Sequence, residues 1–186
     1  MTARSELEKM LAEELYRASD PELTAMRARA RRLCRRFGET DPEDRAGRAG
    51  LLDELLGSAG EGLWIEPPFF CDYGTYIHAG RGVEINVNCV ILDCGYVRIG
   101  DQTLIGPNVT ISPATHPVDP VERAKGAEMG CPVGIGSRVW IGAGAIIGPG
   151  VSIGDDTTIG AGSVVVKDVP ARVVAAGNPC RVIRSL

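Results

Sequence analysis

IGSRVWIGAGAIIGPGVSIGDDTTIGAGSVVVKD, residues 135–168, repeats one pattern every six residues. Each hexad begins with an aliphatic residue, and glycine follows the first five of these: Ile135, Ile141, Ile147, Ile153, Ile159 and Val165. The fifth place of each hexad is small or β-branched, as at Val139 and Ala145. A period of six fits neither a helix nor a simply alternating strand, and glycine suits tight turns. The stretch therefore predicts short strands joined by turns.

Three hexads would close one triangular coil of roughly eighteen residues, with coils about 4.8 Å apart. Ile135 is then expected to lie beside Ile153, and Ile141 beside Ile159. The same phase occurs upstream, and a still earlier run is offset from it by two residues near Gly95 and Tyr96. The pattern thus predicts a mainly β chain folded as a parallel β-helix. Periodicity alone leaves the hand open, and a right-handed β-helix or a sandwich is an alternative.

The composition excludes several classes of protein. The 186 residues carry a net charge of −4, which argues against a nucleic-acid or membrane-surface partner held by electrostatics. No apolar run approaches the roughly 20 residues that span a bilayer, and the charged start, MTARSELEKMLAEEL, is not a signal peptide. The six cysteines form no CxxC pair, so we interpret them as free thiols and expect neither zinc nor disulfides. These features together predict a cytoplasmic protein.

The first third of the chain reads as a small helical cap. Ser5 and Glu8 form a capping box, Asp20-Pro21 starts a second helix, and Asp41-Pro42 predicts the start of a third. We therefore divide the chain into a cap, residues 1–60, and a β-helix domain, residues 61–186, with a hinge at Gly60–Gly62. The arginines of the second helix are interpreted as a solvated face.

The hexads stop between His116 and Cys131 and return in the same phase at Ile135. Residues 116–132 are therefore predicted to be a loop that leaves one corner of the β-helix, and long loops of this kind are usually functional. A neutral imidazole can take a proton from an alcohol near pH 7, so His116 at the loop mouth is a candidate general base. The alternative is a corner histidine that only hydrogen-bonds the loop.

Three segments resemble the maltose and galactoside O-acetyltransferases of the hexapeptide-repeat family: WIEPPFFCDYGTYIHAG, THPVDP…GAEMGCPVGIGSRVWIGAGAIIGPGVSIGDDTTIGAGSVVVKDVP and AAGNPCRVIR. The helical cap matches the same group, so the resemblance covers nearly the whole chain. It implies a left-handed β-helix and a homotrimer. It also implies acetyl-CoA in a groove between neighbouring subunits, with the acceptor at the inner end of that groove.

The resemblance also assigns residues. His116 matches the catalytic base, which would deprotonate a sugar hydroxyl for attack on the thioester, and the N–H near Ala143 would stabilise the oxyanion. Four residues match acceptor-contacting positions: Asn86, Asp93, Asp72 and Glu128. Seven match positions that bind the cofactor or line the site: Trp140, Ala143, Ala161, Val166, Lys167, Arg181 and Arg184. Several could instead be turn residues, a surface aromatic or surface charges, and Glu128 could orient His116.

Two departures bear on the acceptor. Asp72 stands where the galactoside enzymes carry serine, and Cys94 replaces the second aspartate of a pair, which favours the maltose-type branch over the galactoside type. A non-sugar alcohol or an amine remains an alternative acceptor, and a non-catalytic trimeric scaffold is an alternative function. A carbonic anhydrase of this fold needs three zinc-binding histidines, and the chain has two. No metal is expected.

Overall fold

The computed structural model describes residues 4–186, so residues 1–3 of the predicted cap lie outside it. The helices are α1 (Glu6–Leu11), α2 (Pro21–Gly38), α3 (Arg45–Leu55) and a short α4 (Pro120–Arg123). The Ser5 capping box and the Asp20 N-cap are both present, as predicted. The predicted start of the third helix is wrong. The Asp41 carboxylate closes a turn onto the Glu43 N–H, and the N-cap is Asp44.

The remaining chain is the predicted β-helix, with three faces of parallel strands. The first face contains β2 (Ser58–Ala59), β5 (Ile77–Ala79), β8 (Val97–Ile99), β13 (Val133–Ile135) and β16 (Ser152–Ile153). The second contains β3 (Trp64–Ile65), β6 (Glu84–Ile85), β9 (Leu104–Ile105), β14 (Trp140–Ile141), β17 (Thr158–Ile159), β19 (Val173–Ala176) and the tail strand β20 (Arg181–Ser185). The third contains β4 (Phe69–Cys71), β7 (Cys89–Ile91), β10 (Thr110–Ile111), β15 (Ile146–Ile147) and β18 (Val164–Val165). A separate small sheet joins β1 (Tyr16–Arg17), β12 (Ala127–Gly130) and β11 (Ala114–Thr115).

The register confirms the stacking predicted from the hexads. Ile135 pairs with Ile153, and Ile141 pairs with Ile159. These aliphatic side chains are buried and fill the interior of the helix. Glycine follows them because the next coil lies close: a Cβ on Gly142 would lie 2.5 Å from the backbone nitrogen of Ala161. The hexad therefore encodes both the core and the spacing between coils.

Extra residues collect at one corner, where the third face turns into the first. We call it the loop corner, and it comprises residues 72–76, 92–96, 112–132, 148–150 and 166–168. Ile65 pairs with Ile85, and Ile85 with Ile105, so the early coils are two residues longer than the later ones. The offset predicted near Gly95 is the second of these additions, and the long loop leaves from the same corner.

The cap and the β-helix share one hydrophobic core. Phe37 of α2 and Leu52 of α3 belong to the same buried cluster as the coil interior, and the Cys34 and Cys71 sulfurs lie 3.7 Å apart across the boundary. Strand β2 already pairs with β5, so the first coil begins before the predicted hinge at Gly60–Gly62. All six cysteines are free thiols, and five of them are buried.

The chain ends by folding back on the last coil. Strand β20 runs antiparallel to β19. Before it, the Val164 N–H donates to the Gly177 carbonyl, and the Cys180 N–H donates to the Val164 carbonyl. No helix within residues 4–186 is both long and apolar enough to cross a membrane.

Candidate functional site

The long loop has structure of its own. It contains α4 and then β12, and β12 lies between two antiparallel neighbours: β11, where the loop begins, and β1 of the cap. This pairing was not predicted, because the partner Tyr16 lies 112 residues from Glu128 in sequence. The loop is therefore held at its base on both sides.

His116 follows β11 directly, and its side chain is exposed. Its Nδ1 lies 3.1 Å from the carbonyl oxygen of Ala127 on β12. A carbonyl only accepts hydrogen bonds, so Nδ1 carries the proton of the neutral ring and Nε2 carries the lone pair. This is the tautomer that a general base requires. The group that orients the ring is thus the Ala127 carbonyl and not Glu128, whose carboxylate instead accepts a hydrogen bond from the Tyr16 hydroxyl at 3.0 Å.

Asp93 lies at the centre of the loop corner. Its side chain is fully buried, and its carboxylate accepts the backbone N–H groups of Asp72, Tyr73 and Tyr76 at 3.0, 2.8 and 3.3 Å. Burial raises the pKa of Asp93 to about 6, although the hydrogen bonds from the Tyr73 and Tyr76 backbone oppose this. The geometry favours a structural role in holding the corner, and the acceptor contact assigned to Asp93 stays a prediction.

Asp72 is half-buried beside this carboxylate. Burial raises its pKa, while the nearby Arg27 and Arg31 guanidinium groups act in the opposite direction. Glu128 lies close enough to Asp72 to raise that pKa further. The structure thus brings Asp72, Asp93, His116 and Glu128 to the loop corner.

Four of the other predicted acceptor and cofactor residues, Asn86, Trp140, Ala143 and Ala161, lie at or beside a different corner, where the second face turns into the third. We call it the alanine corner, and it comprises residues 86–88, 106–108, 142–144 and 160–162. Asn86 and Trp140 meet there in a groove of about 440 Å³, together with Trp64, Glu84 and Leu104. The Asn86 side-chain oxygen accepts the Val87 N–H, which leaves its amide nitrogen available to a ligand. Trp140 is 56% exposed, so its ring is a free wall of the groove.

Ala143 and Ala161 form a low ridge along the alanine corner. Both are exposed, and a Cβ placed on the neighbouring Gly144 or Gly162 would meet no atom within 4 Å. The ridge therefore presents open backbone to a narrow ligand. The Ala143 N–H makes no hydrogen bond within the described part of the chain, so it remains free as a donor.

Known proteins are similar to this chain in sequence and fold over nearly its whole length. Residues 9–60 match the maltose acetyltransferase hexapeptide capping motif, and residues 132–167 match six repeats of the bacterial transferase hexapeptide. Nodulation protein L of Rhizobium leguminosarum bv. viciae is 53% identical over 179 residues, which cover 96% of this chain and 94% of that protein. The crystal structure of a maltose O-acetyltransferase from Clostridium difficile 630 is 45% identical, with a TM-score of 0.97 over 100% of this chain and 99% of that one. A galactoside acetyltransferase in complex with coenzyme A is 43% identical, with a TM-score of 0.94 over 98% and 92% of the two chains.

The chain belongs to the hexapeptide-repeat acetyltransferases. The resemblance identified from the sequence is therefore confirmed. Within one chain, most of the residues assigned from the resemblance lie at or beside two separate corners of the β-helix. The third face separates the loop corner from the alanine corner, and even a three-residue strand spans about 10 Å. His116 and the Ala143 N–H thus lie on opposite sides of one face of this hexapeptide-repeat acetyltransferase.

The last predicted cofactor residues lie near the C-terminal end. Val166 and Lys167 are exposed at the loop corner, whereas Arg181 and Arg184 are exposed on β20. Within residues 4–186 neither arginine forms an ion pair, and each donates only to a neighbouring backbone carbonyl. Both guanidinium groups are therefore available to an anionic ligand.

Sequence reasoning missed two residues of this hexapeptide-repeat acetyltransferase site. Tyr16 and the Ala127 carbonyl contact Glu128 and His116, respectively. Ala127 acts through its backbone, for which its side chain gives no signal, and Tyr16 lies in a segment that only its pairing with the loop connects to the site. The other histidine, His78, lies on the first face against Ser58. Burial and the nearby Arg98 lower the pKa of His78. No cluster of three metal-ligating side chains occurs among the residues that the structure describes.

Proposed function

We propose that the protein transfers the acetyl group of acetyl-CoA to a hydroxyl group of a sugar, with His116 as the general base. The observation that carries the proposal is the hydrogen bond from His116 Nδ1 to the Ala127 carbonyl, in a chain whose relatives include maltose and galactoside O-acetyltransferases. That bond leaves the Nε2 lone pair free to receive a proton.

The chemistry follows from the free groups at the two corners. His116 Nε2 takes the proton from the acceptor hydroxyl as its oxygen attacks the thioester carbonyl. The Ala143 N–H donates to the oxyanion that develops. The C–S bond then breaks, and the coenzyme A thiolate takes the proton back from the His116 imidazolium. A solved relative is described in complex with coenzyme A, and the open ridge at Ala143 and Ala161 fits a narrow pantetheine arm. Lys167, Arg181 and Arg184 would supply cationic donors to the cofactor.

We further propose that three chains form the active sites together. His116 and Ala143 cannot reach one thioester within a single chain, because the third face lies between them. That face carries exposed apolar side chains, including Phe70 at 55% and Ile146 at 43% exposure. Packing this face against a second copy would place one chain's loop corner against its neighbour's alanine corner, and three-fold symmetry repeats this contact in a closed ring.

The acceptor is proposed to be a maltose- or glucose-like sugar. It would lie between Asn86 and Trp140 of one chain and Asp72 and Glu128 of the next, because amide and carboxylate groups bind sugar hydroxyls. A cytoplasmic location is part of the proposal, since free thiols such as those of this chain are typical of a reducing compartment.

The direct test is release of free coenzyme A thiol from acetyl-CoA with a panel of sugars, glycosides, other alcohols and amines. We expect turnover with maltose or glucose and slower turnover with galactosides. Turnover with amines alone would contradict the sugar assignment. No turnover with any acceptor, together with no heat of acetyl-CoA binding by calorimetry, would favour a non-catalytic scaffold.

A subunit-mixing experiment tests the shared site. His116→Ala removes the base at the loop corner, and Ala143→Trp blocks the ridge at the alanine corner. Each pure variant should be inactive. In randomly mixed trimers, one interface of each mixed species joins an intact His116 to an intact Ala143. Refolding the two variants together at equal concentration should therefore restore about a quarter of the wild-type activity.

Light scattering accompanies the mixing, because both variants must remain trimers for it to be informative. A mixture that stays inactive although mass spectrometry detects mixed trimers would place the whole site in one chain and contradict the shared arrangement.

A further inference from the structure

We propose that Tyr16, in the helical cap, is a positioning residue that holds Glu128 in its acceptor-binding place. The inference rests on the proposed function, because Glu128 binds the acceptor only if that function is correct. Tyr16 itself lies outside the acceptor site. It also gives the cap a part in acceptor binding, in addition to covering one end of the β-helix.

The backbone connects the cap to the base of the loop. Strand β1 pairs antiparallel with β12, so that Tyr16 lies opposite Glu128 and Arg17 opposite Ala127. The other edge of β12 pairs with β11, which leads directly into His116. Strand β12 carries Glu128 and also the Ala127 carbonyl that orients His116. One edge of this strand pairs with β11, and the other edge pairs with β1 of the cap.

The side chains add a directed contact. The Tyr16 hydroxyl donates to Glu128 Oε2 at 3.0 Å, and this is the one side-chain hydrogen bond that Glu128 makes within residues 4–186. The Tyr16 ring is only 1% exposed and packs in a cluster with Met10, Leu23 and Tyr73. Burial raises the pKa of Tyr16 above its ordinary value, so the phenol remains a donor at neutral pH. A rigid donor therefore fixes a carboxylate that is otherwise free to rotate.

The neighbouring charges explain why the contact matters. Glu128 lies close enough to Asp72 that its negative charge raises the pKa of Asp72. Without the Tyr16 donor, the Glu128 carboxylate is expected to rotate away from Asp72 toward solvent. The acceptor would then lose one hydrogen-bonding partner, whereas the groups assigned to acetyl-CoA would be unaffected.

Tyr16→Phe is the test, since it removes the hydroxyl and keeps the ring in its cluster. We expect the KM for the sugar acceptor to rise roughly 3- to 10-fold, because the acceptor loses one hydrogen bond to Glu128. The KM for acetyl-CoA and kcat should stay within about two-fold of wild type. A structural defect would instead reduce the fraction of folded enzyme, which lowers kcat and leaves both KM values unchanged.

Two comparisons complete the test. Tyr73→Phe is the matched control, because Tyr73 is a buried tyrosine of the same cluster whose hydroxyl bonds Arg27 and not Glu128; its acceptor KM should not change. In a Glu128→Ala background, Tyr16→Phe should add no further increase, since the group that it positions is already absent. An unchanged acceptor KM in Tyr16→Phe, or the same fold-increase in the Glu128→Ala background, would overturn the inference while leaving the proposed function intact.

Hydrogen exchange separates this inference from the proposed function. If wild type transferred acetyl to no acceptor, the proposed function would fail, and the Tyr16 contact could still be measured. Amides of residues 127–130 should exchange faster in Tyr16→Phe than in wild type or Tyr73→Phe. Equal exchange in the three proteins would overturn the positioning role.

Discussion

His116→Ala is expected to lower kcat by roughly 10²–10⁴, or about 3–5 kcal/mol of activation free energy. Both KM values should change little, because proton transfer from the acceptor is felt only in the transition state. The side chain is exposed and leaves no cavity, so the free energy of unfolding should hardly change. Steady-state kinetics with acetyl-CoA and the best sugar acceptor measures the effect.

His78→Ala is the matched control, since His78 lies on the first face against Ser58 and has no acceptor to deprotonate. Its kcat should remain near that of wild type. If His116→Ala also kept near wild-type kcat, the base would have to be another group, with Glu128 next to be tested. If His116→Ala failed to fold, the residue would be structural.

Asp93→Ala is expected to destabilise the protein by at least about 3 kcal/mol, or more than a hundred-fold in the unfolding equilibrium. The substitution leaves the N–H groups of Asp72, Tyr73 and Tyr76 without their acceptor in a buried corner, and each such loss costs about 1–3 kcal/mol. Urea unfolding at a fixed protein concentration measures the change, because an oligomer's stability depends on concentration.

The pH dependence of Asp93→Asn tests the same carboxylate. Burial raises the pKa of Asp93 to about 6, above the roughly 3.9 of an unfolded chain, so the folded state binds the proton more tightly. This group therefore stabilises the fold most below about pH 4, and that contribution is lost as pH rises to about 6. The difference in stability between wild type and Asp93→Asn should change across this window. A constant difference from pH 4 to 7 would show that the carboxylate is already ionised throughout.

The sequence predicted the β-helix well, because its period is local. The first residue of every hexad from Ile135 to Val165 faces the interior, and the return of the phase after the loop located the excursion correctly. The start of α3 was harder, since Asp41 and Asp44 are both good caps three residues apart. In the structure, Asp44 accepts the Gly47 N–H as the N-cap, whereas Asp41 accepts the Glu43 N–H in the preceding turn.

The candidate site was predicted as a set of residues and not as an arrangement. Hexad phase assigns a residue to a face, but contacts at the loop corner join distant segments, such as Tyr16 with Glu128. The Asp93 carboxylate likewise contacts a distant segment, since it accepts backbone N–H groups from Asp72, Tyr73 and Tyr76 of the preceding coil. The sequence around Asp93 does not distinguish it from an exposed aspartate at a corner. The raised pKa and the structural role of Asp93 could therefore only be inferred from the three-dimensional structure.

The reversed direction of β20 has a consequence for solubility. A stack of parallel coils exposes unpaired backbone at both ends, which is the edge that lets cross-β fibres grow. Here α2 and α3 pack on the first coil. At the other end, β20 covers β19 with opposite polarity, and residues 177–180 occupy the edge of β18. A second molecule that added parallel coils at this end would therefore meet a reversed strand on the second face, which disfavours continuation of the stack into a filament.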